Sequence, residues 1–207
     1  LVFLHDGPLD RESDGEKPLG GNHYFIRLSQ RLISALTTKT AAGGLFEVDM
    51  RLRPNGNKGP VASSLEGFRK YHAESSWTWE HMALTRARVI AGCPELAERI
   101  EGEIKAVLCQ PRDAEELRKS VSEMRQRMAL GHPETSPWRL KHWRGGLVDA
   151  EFIVQYLQLK HAHDHPEVIE GNTALACGRL AMIGALMEED ASTLAGAVRL
   201  YRDIQGL

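Results

Sequence analysis

The chain has 207 residues, of which 42% are hydrophobic and 26% are charged. This length and composition suit a soluble protein with a substantial core, built as one large domain or two small ones. Because the formal net charge is only -2, the overall charge favours neither a nucleic-acid backbone nor an anionic membrane surface as a partner.

The three cysteines, Cys93, Cys109 and Cys177, lie far apart and show no C-x-x-C spacing. Their spacing argues against a disulfide framework and a zinc site, and favours a reducing, cytoplasmic setting. No apolar run approaches the length of a membrane span. The first residue is not methionine and lies within an apolar run, so we expect the chain to be a piece of something longer.

The first 36 residues predict a strand, a loop and a helix. Leu1–Leu4 is an apolar run typical of a buried strand, and turn residues follow it. Residues 10–21 are polar and rich in glycine, which predicts a surface loop. Asn22 can cap a helix whose apolar residues recur three and four positions apart, at Phe25, Leu28, Leu32 and Leu36.

The segment Leu45–Pro54 alternates apolar and charged residues, which predicts a β-strand with one buried face. Side chains two apart on a strand face are separated by about 6.6 Å, so a carboxylate and a guanidinium there could serve one polyphosphate. The pattern leaves two interpretations open, a catalytic face in which Asp49 is the leading candidate and a face that is merely solvated. The charged face consists of Glu47, Asp49, Arg51 and Arg53.

The loop over residues 55–60 contains Gly56 and Gly59, which let the backbone approach a ligand, and Lys58, which could meet an anion. A plain turn is the alternative. Ser63 and Glu66 have capping-box spacing and predict the start of a helix. A further helix is predicted after Trp77, with Arg86 off an apolar face formed by Trp79, Met82, Ala83, Ala87 and Ile90.

From Pro94 onward the sequence predicts helices, interrupted by a surface loop over residues 131–146. Apolar stripes predict one helix over residues 96–107 and another after Asp113, which has capping-box spacing to Glu116. Three more helices are expected over about 147–159, from Asn172 to Met187, and from Ser192 past Tyr201.

Acids and histidines in this second half have simple structural explanations. Asp149 and Glu151, placed in the first turn of their predicted helix, suit the positive end of the helix dipole. His161, His163 and His165 resemble a metal site; an extended segment could bring their imidazoles together, but residues two apart do not share a helix face. We therefore expect solvated polar residues there rather than metal ligands.

Together these elements predict an α+β protein, with a small sheet and its helices followed by an all-helical bundle. We expect a catalytic domain over residues 1–92 with a truncated N-terminal strand, and a helical domain over residues 93–207. A strand ending at His5-Asp6, a long helix and a second strand carrying Asp49 would suit a nucleotidyltransferase sheet of the DNA-polymerase-β type.

Five stretches of the chain have distinctive runs of residues: L-V-F-L-H-D at Leu1, R-L-S-Q-R-L-I at Arg27, L-F-E-V-D-M-R-L-R-P-N-G-N-K-G at Leu45, W-T-W-E-H-M-A-L-T-R-A-R at Trp77 and G-G-L-V-D-A-E-F-I-V-Q at Gly145. These stretches resemble one family, the glutamine synthetase adenylyltransferases, bifunctional enzymes that attach AMP to glutamine synthetase and remove it. The W-T-W-E-H run looks more like their C-terminal, AMP-attaching half than the phosphorolytic half.

The resemblance implies a two-magnesium site with three carboxylate ligands. In the family, an aspartate pair in an S-D-L-D-type run comes directly before the residues that match Leu1, and Asp49 matches the third, catalytic carboxylate. This chain departs from the pattern because it starts after that run. We therefore expect the chain on its own to lack two of the three metal ligands and to be inactive.

The implied reaction is attack by a tyrosine hydroxyl of glutamine synthetase on the α-phosphorus of ATP, with release of pyrophosphate. Four cationic residues are candidates for contacts to the triphosphate or the protein substrate, because cations stabilise phosphate charge. A surface ion pair is the alternative for Arg53, and plain solvation is the alternative for Arg86. The four are Arg51, Arg53, Lys58 and Arg86.

The partners that the resemblance implies are glutamine synthetase, the PII signal protein, and ATP with magnesium, in the cytoplasm. Lys141, Asp149 and Glu151 match the family's G-G-x-x-D-x-E region, although no physical argument places them at the chemistry. Two other functions stay open: phosphorolytic removal of AMP from modified glutamine synthetase, and a non-catalytic regulatory docking module. A nucleic-acid nucleotidyltransferase is disfavoured by the acidic charge balance and by the lack of an aromatic-basic stripe.

Overall fold

The structure is a computed structural model, which describes residues 1–8, 10–41, 43–44, 47–131 and 140–206. Within these residues the chain is α+β, with eight α-helices and a sheet of two parallel strands. It divides into two compact units. The N-terminal unit comprises Leu1–Ser76 and Gly92–Ile100, and the helical unit comprises Trp77–Ala91 and Glu101–Leu207. Residues 77–91, expected from sequence to belong with the sheet, thus group with the helices.

The N-terminal unit contains both strands and the first two helices. Strand β1 (Phe3–His5) pairs in parallel with β2 (Ala62–Ser64), with Phe3 opposite Ala62 and His5 opposite Ser64. Helix α1 (Gly21–Thr37) lies between them in sequence and packs beside β2. Helix α2 (Leu65–Glu74) follows β2 directly, because Ser64 caps it by accepting a hydrogen bond from the Gly67 N–H at 3.1 Å.

The predictions for this unit hold in part. The strand at the N-terminus is confirmed, but it begins at Phe3, and the helix after it is confirmed with Gly20, not Asn22, at the capping position. Leu28 and Leu32 are 52% and 47% exposed, so the predicted apolar face of α1 is only partly buried. The cap of α2 is Ser64, one residue later than predicted.

The strand predicted over Leu45–Pro54 is wrong for its described part. Residues 47–50 have no regular secondary structure, and residues 51–55 form turns. A β-strand exists only through the hydrogen bonds of a neighbouring strand, and the described sheet pairs only β1 with β2. The alternating residues therefore form no strand, and the expected burial fails at Leu52, which is 46% exposed, and at Arg53, which is half-buried. Leu45 and Phe46 lie outside the described residues.

The helical unit is built around helix α6 (Leu147–His161), which contacts α5 (Ala114–Gly131), α7 (Thr173–Met182) and α8 (Glu188–Gln205). One buried cluster joins α6 to α3 (Thr78–Leu84), α5 and the end of α4 (Pro94–Leu108); its members are Met82, Leu108, Leu117 and Leu159. A second cluster joins α6 to α7 and α8 and includes Val154, Ala176, Cys177, Leu180 and Ala191.

Several helix starts in this unit follow local capping. Asp113 accepts the Glu116 N–H at 2.7 Å, and Asn172 accepts the Ala174 N–H at 3.0 Å, so both predicted caps are confirmed. The last two helices differ from prediction in length. Helix α7 ends at Met182 because the chain turns at Gly184, which has a φ of 73°, and α8 begins at Glu188, before the predicted cap Ser192.

Helix α3 ends at Leu84, so Ile90, predicted for its apolar face, lies outside the helix and is 67% exposed. The predicted loop over residues 131–146 falls largely on residues 132–139, which lie outside the described residues. No helix in the described part of the chain is long and apolar enough to cross a membrane.

Candidate active site

The Asp49 carboxylate is held by Arg51, two residues along the chain. The Arg51 Nη2 donates to Asp49 Oδ2 at 2.5 Å and the Arg51 Nε donates to the same oxygen at 2.9 Å. The Arg51 backbone N–H donates to Asp49 Oδ1 at 2.9 Å, and the Leu1 amino group donates to the Asp49 carbonyl oxygen. Hydrogen bonds from the Arg51 side chain and backbone lower the pKa of Asp49 from 3.8 to about 2.

The pair is exposed to solvent. The side chain of Arg51 is 77% exposed and that of Asp49 is 58% exposed. Asp49 is therefore ionised at neutral pH and within reach of a solvent-borne ligand. Both residues were predicted to be neighbours on the face of a strand, and they are neighbours here through a turn.

The segment after this pair forms a tight turn that is here called the Arg53 loop, residues 53–59. Asn55 and Gly56 adopt left-handed backbone conformations with φ of 61° and 51°, and Gly56–Lys58 forms a single 3-10 turn. The Arg53 side chain donates from Nη1 to the Met50 carbonyl oxygen at 2.9 Å and from Nε to the Gly59 carbonyl oxygen at 3.4 Å. Lys58 lies exposed on this loop, and no ion pair involves it among the described residues.

Three predicted nucleotide contacts thus differ in their surroundings. Arg51 and Lys58 present cationic side chains to solvent, where an anion could reach them. Arg53 is half-buried, and its guanidinium donates hydrogen bonds to the carbonyl oxygens of Met50 and Gly59. The surface ion pair considered for Arg53 does not occur within the described residues, because its described partners are carbonyl and amide oxygens.

The described residues do not by themselves fit a two-metal site. Nowhere in them do three or more His, Cys, Asp or Glu side chains form a group that could hold a metal ion. Asp49 offers a single carboxylate, and that carboxylate is paired with a guanidinium. The three histidines near residue 163 form no metal group either, since His163 Nδ1 lies 3.2 Å from the Cys109 carbonyl oxygen and His165 pairs with Glu167.

Arg86, the remaining predicted contact, belongs to the helical unit and has a partner there. Its Nη1 donates to Glu151 Oε1 at 2.8 Å, and Nη2 of Arg202 donates to the same oxygen at 3.3 Å. Arg202 also donates to the Thr173 hydroxyl at 3.3 Å. The Glu151 carboxylate therefore joins the chain after α3 to helices α6 and α8.

Asp149 has a similar structural role beside it. Its Oδ2 accepts the Gly145 N–H at 2.6 Å, and its Oδ1 accepts a hydrogen bond from Arg125 on α5. The Tyr201 hydroxyl donates to the Gly145 carbonyl oxygen at 3.0 Å. The G-G-x-x-D-x-E stretch is therefore an anchoring segment of the helical unit, and sequence reasoning missed its partners because they lie far away in the chain.

Two family models match the chain, one in each half. The model described as glutamate-ammonia ligase adenylyltransferase matches residues 1–103, which include the Asp49–Arg51 pair and the Arg53 loop. The model described as PII-uridylyltransferase matches residues 115–206.

Relatives match almost the whole chain. A bifunctional glutamine synthetase adenylyltransferase/adenylyl-removing enzyme of Rhodopseudomonas palustris strain TIE-1 is 49% identical over 99% of this chain. Its namesakes in strain BisB5 of that species and in Xanthobacter autotrophicus are 50% and 48% identical over the same share. The chain spans 21% of the length of each of these relatives. Over nearly its whole length, the chain is thus similar to one segment of the bifunctional glutamine synthetase adenylyltransferase/adenylyl-removing enzymes.

Proposed function

We propose that this chain is part of an enzyme that transfers AMP from ATP to glutamine synthetase, in the regulation of nitrogen assimilation. The observation that carries the proposal is the 49% identity over 99% of the chain to enzymes named for that transfer. The exposed Asp49–Arg51 pair and Lys58 support it, because they lie within the part that matches the adenylyltransferase model.

In the proposed reaction the oxygen of a tyrosine hydroxyl on glutamine synthetase forms a bond to the α-phosphorus of ATP. The bond from that phosphorus to the oxygen bridging to the β-phosphate breaks, pyrophosphate leaves with the bonding electrons, and the hydroxyl proton passes to solvent. Negative charge builds up on the phosphate oxygens, where fixed cations are most effective. Arg51 and Lys58 are the described residues whose exposed side chains suit this role.

Asp49 is proposed as a catalytic carboxylate that holds magnesium in the assembled enzyme. Hard carboxylate oxygens suit that ion, and an ionised side chain is available at neutral pH. Magnesium, when bound, would neutralise charge on the triphosphate. The single carboxylate described here does not complete such a site, so the proposal for Asp49 concerns the longer enzymes that this chain resembles.

The proposal extends to partners and location. Glutamine synthetase is the protein substrate named in the relatives. The match of residues 115–206 to a PII-uridylyltransferase model supports the PII protein as a second partner, bound by the helical unit. The proposed location is the cytoplasm, because the proposed substrate is ATP.

A segment exchange tests the proposal in a complete enzyme. Residues 1–207 replace the matching segment of the Rhodopseudomonas palustris relative, which is 49% identical. The hybrid and its parent are assayed for incorporation of labelled AMP into glutamine synthetase. A second assay measures ADP release from modified glutamine synthetase in the presence of phosphate, because the relatives are named for both activities.

We expect the hybrid to retain AMP transfer and to lose it by at least about 100-fold in the Asp49→Asn variant, while ADP release persists. The opposite pattern, with ADP release lost and AMP transfer kept, would assign this segment to the AMP-removing activity. Asp164→Asn is a matched control, because Asp164 is exposed in the helical unit. If Asp49→Asn changes neither activity, the segment is a docking module and the proposal is wrong.

A further inference from the structure

The geometry of the Arg53 loop points to a second role in the same site: we infer that Arg53 is a positioning residue that holds Lys58 in place. The inference rests on the proposed function, because it concerns how that function's cation is presented. It differs from a direct contact between Arg53 and the triphosphate.

The Arg53 side chain bridges the two ends of the turn. Its Nη1 donates to the Met50 carbonyl oxygen at 2.9 Å and lies 3.5 Å from Asn57 Oδ1. Its Nε donates to the Gly59 carbonyl oxygen at 3.4 Å. Donors pointing in different directions from one rigid plane are a property of guanidinium that an ammonium group does not share.

Backbone hydrogen bonds hold the same loop together. The Gly56 N–H donates to the Arg53 carbonyl oxygen at 2.7 Å, and the Lys58 N–H donates to the Asn55 carbonyl oxygen at 3.1 Å. These bonds close the turn around two consecutive left-handed residues, Asn55 and Gly56. Non-glycine residues are uncommon in that conformation and asparagine is among the few that adopt it readily, so the residue types and the hydrogen bonds of the turn favour the same backbone shape.

Gly59 shows how closely the turn is packed. A Cβ at this position would lie 1.9 Å from the carbonyl oxygen of Pro54, which is buried. The backbone therefore passes directly over Pro54, and the position of Lys58, one residue earlier, depends on that passage. Arg53 and Gly59 act on the same geometry, one through hydrogen bonds and the other through the lack of a side chain.

The first experiment tests whether the Arg53 hydrogen bonds stabilise the loop in the 207-residue chain, and it does not depend on activity. Amide hydrogen exchange is measured by NMR at Gly56, Lys58 and Gly59 in the wild type and in the Arg53→Lys variant. Loss of one guanidinium hydrogen bond, which contributes about 1 kcal/mol, should speed exchange at these amides by about fivefold. Arg51→Lys is the matched control and should leave exchange at these amides unchanged, because Arg51 bonds to Asp49 and not to the loop.

The second experiment separates positioning from direct contact in the hybrid enzyme. If Arg53 acts only through Lys58, Arg53→Lys should lower kcat/KM for ATP by about as much as Lys58→Gln does. The double variant Arg53→Lys/Lys58→Gln should then be no worse than Lys58→Gln alone. Gly59→Ala should reproduce the effect of Arg53→Lys, since it disturbs the same turn without removing a charge.

Each outcome decides a separate point. Unchanged amide exchange in Arg53→Lys would show that Arg53 does not stabilise the loop. Additive losses of kcat/KM in the double variant would show that Arg53 contacts the substrate itself. If Lys58→Gln leaves AMP transfer unchanged, the loop's part in the proposed function fails and the catalytic part of the inference fails with it. The exchange experiment would then still report whether Arg53 orders the loop. Circular dichroism spectra of all variants identify any that fail to fold.

Discussion

The carboxylate of Glu151 accepts a hydrogen bond from the guanidinium of Arg86 at 2.8 Å, although 65 residues separate the two in sequence. Glu151 is only 17% exposed, and Arg202 shares the same carboxylate oxygen. It lies in the second turn of α6, so the helix dipole does not explain its presence. Its carboxylate instead pairs with the positive charges of Arg86 and Arg202, where the chain after α3 meets helices α6 and α8.

Replacing Glu151 by glutamine should destabilise the helical unit by about 1–3 kcal/mol, because exposed Arg86 and half-buried Arg202 both lose the largely buried carboxylate that they share. Tryptophan fluorescence during urea unfolding measures this, since Trp77, Trp79 and Trp143 belong to that unit. Glu115→Gln is the control. Glu115 pairs with Arg118 at 2.8 Å on an exposed helix face, where such a pair contributes about 0.5 kcal/mol or less. Equal effects of the two substitutions would contradict the anchoring role of Glu151.

Asn172→Ala should destabilise the protein by about 1 kcal/mol, because the Asn172 side chain accepts the N–H groups of Ala174 and Leu175. The Ser192→Ala variant, compared with Asn172→Ala, tests the other predicted helix cap. Ser192 was predicted to cap a helix but lies exposed within α8, where alanine is the better helix former. Its replacement should be neutral or slightly stabilising in the same unfolding assay. A loss for Ser192→Ala as large as that for Asn172→Ala would place the start of α8 at the predicted position.

Gly146→Ala should cost at least about 2 kcal/mol, because the added methyl group would meet backbone that has little freedom to move. A Cβ there would lie 2.1 Å from the Leu140 carbonyl oxygen and 2.8 Å from that of Trp143. Gly196→Ala in α8 is the opposite case, since its Cβ would meet no atom of the described chain within 4 Å. That change should stabilise the helix by about 0.5–1 kcal/mol. Thermal unfolding of both variants tests the pair, and a stable Gly146→Ala protein would reject the tight turn.

The Asp49 carboxyl should titrate with a pKa of about 2, below its usual 3.8, because Arg51 donates hydrogen bonds to the ionised form. A pKa that is lower in the folded protein means that the interaction stabilises the fold above about pH 4 and is lost as the pH falls through 2. The NMR shift of the Asp49 carboxyl carbon measures the midpoint. Arg51→Gln should move it back toward 3.8, and high salt should do so partly, because the pair is exposed. A midpoint near 3.8 in the wild type would mean that the pair does not form in solution.

Much of the fold could be predicted because helix starts depend on neighbours in sequence. The Asp113 and Asn172 caps are hydrogen bonds to residues two or three positions away, so the residue types at those positions sufficed. Helix ends were less predictable. The end of α7 depends on the left-handed turn at Gly184, inside a segment whose residues would also continue a helix.

The candidate site was predictable in its residues and not in its geometry. Asp49, Arg51 and Lys58 are close in sequence, so any local structure keeps them in one region. Whether Arg53 faces a ligand or its own loop could not be read from alternation. That choice depends on which carbonyl oxygens the turn brings within reach of the guanidinium.

The sequence by itself determined the α+β class, the start of several helices and the similarity to the adenylyltransferases, because these follow from local patterns and from short runs of residues. Only the tertiary structure decided that residues 47–54 form no strand and that Glu151 joins Arg86 to Arg202. A strand needs the backbone groups of a partner, and a partly buried carboxylate needs a cation. In both cases the chain must fold before the partner's identity is settled.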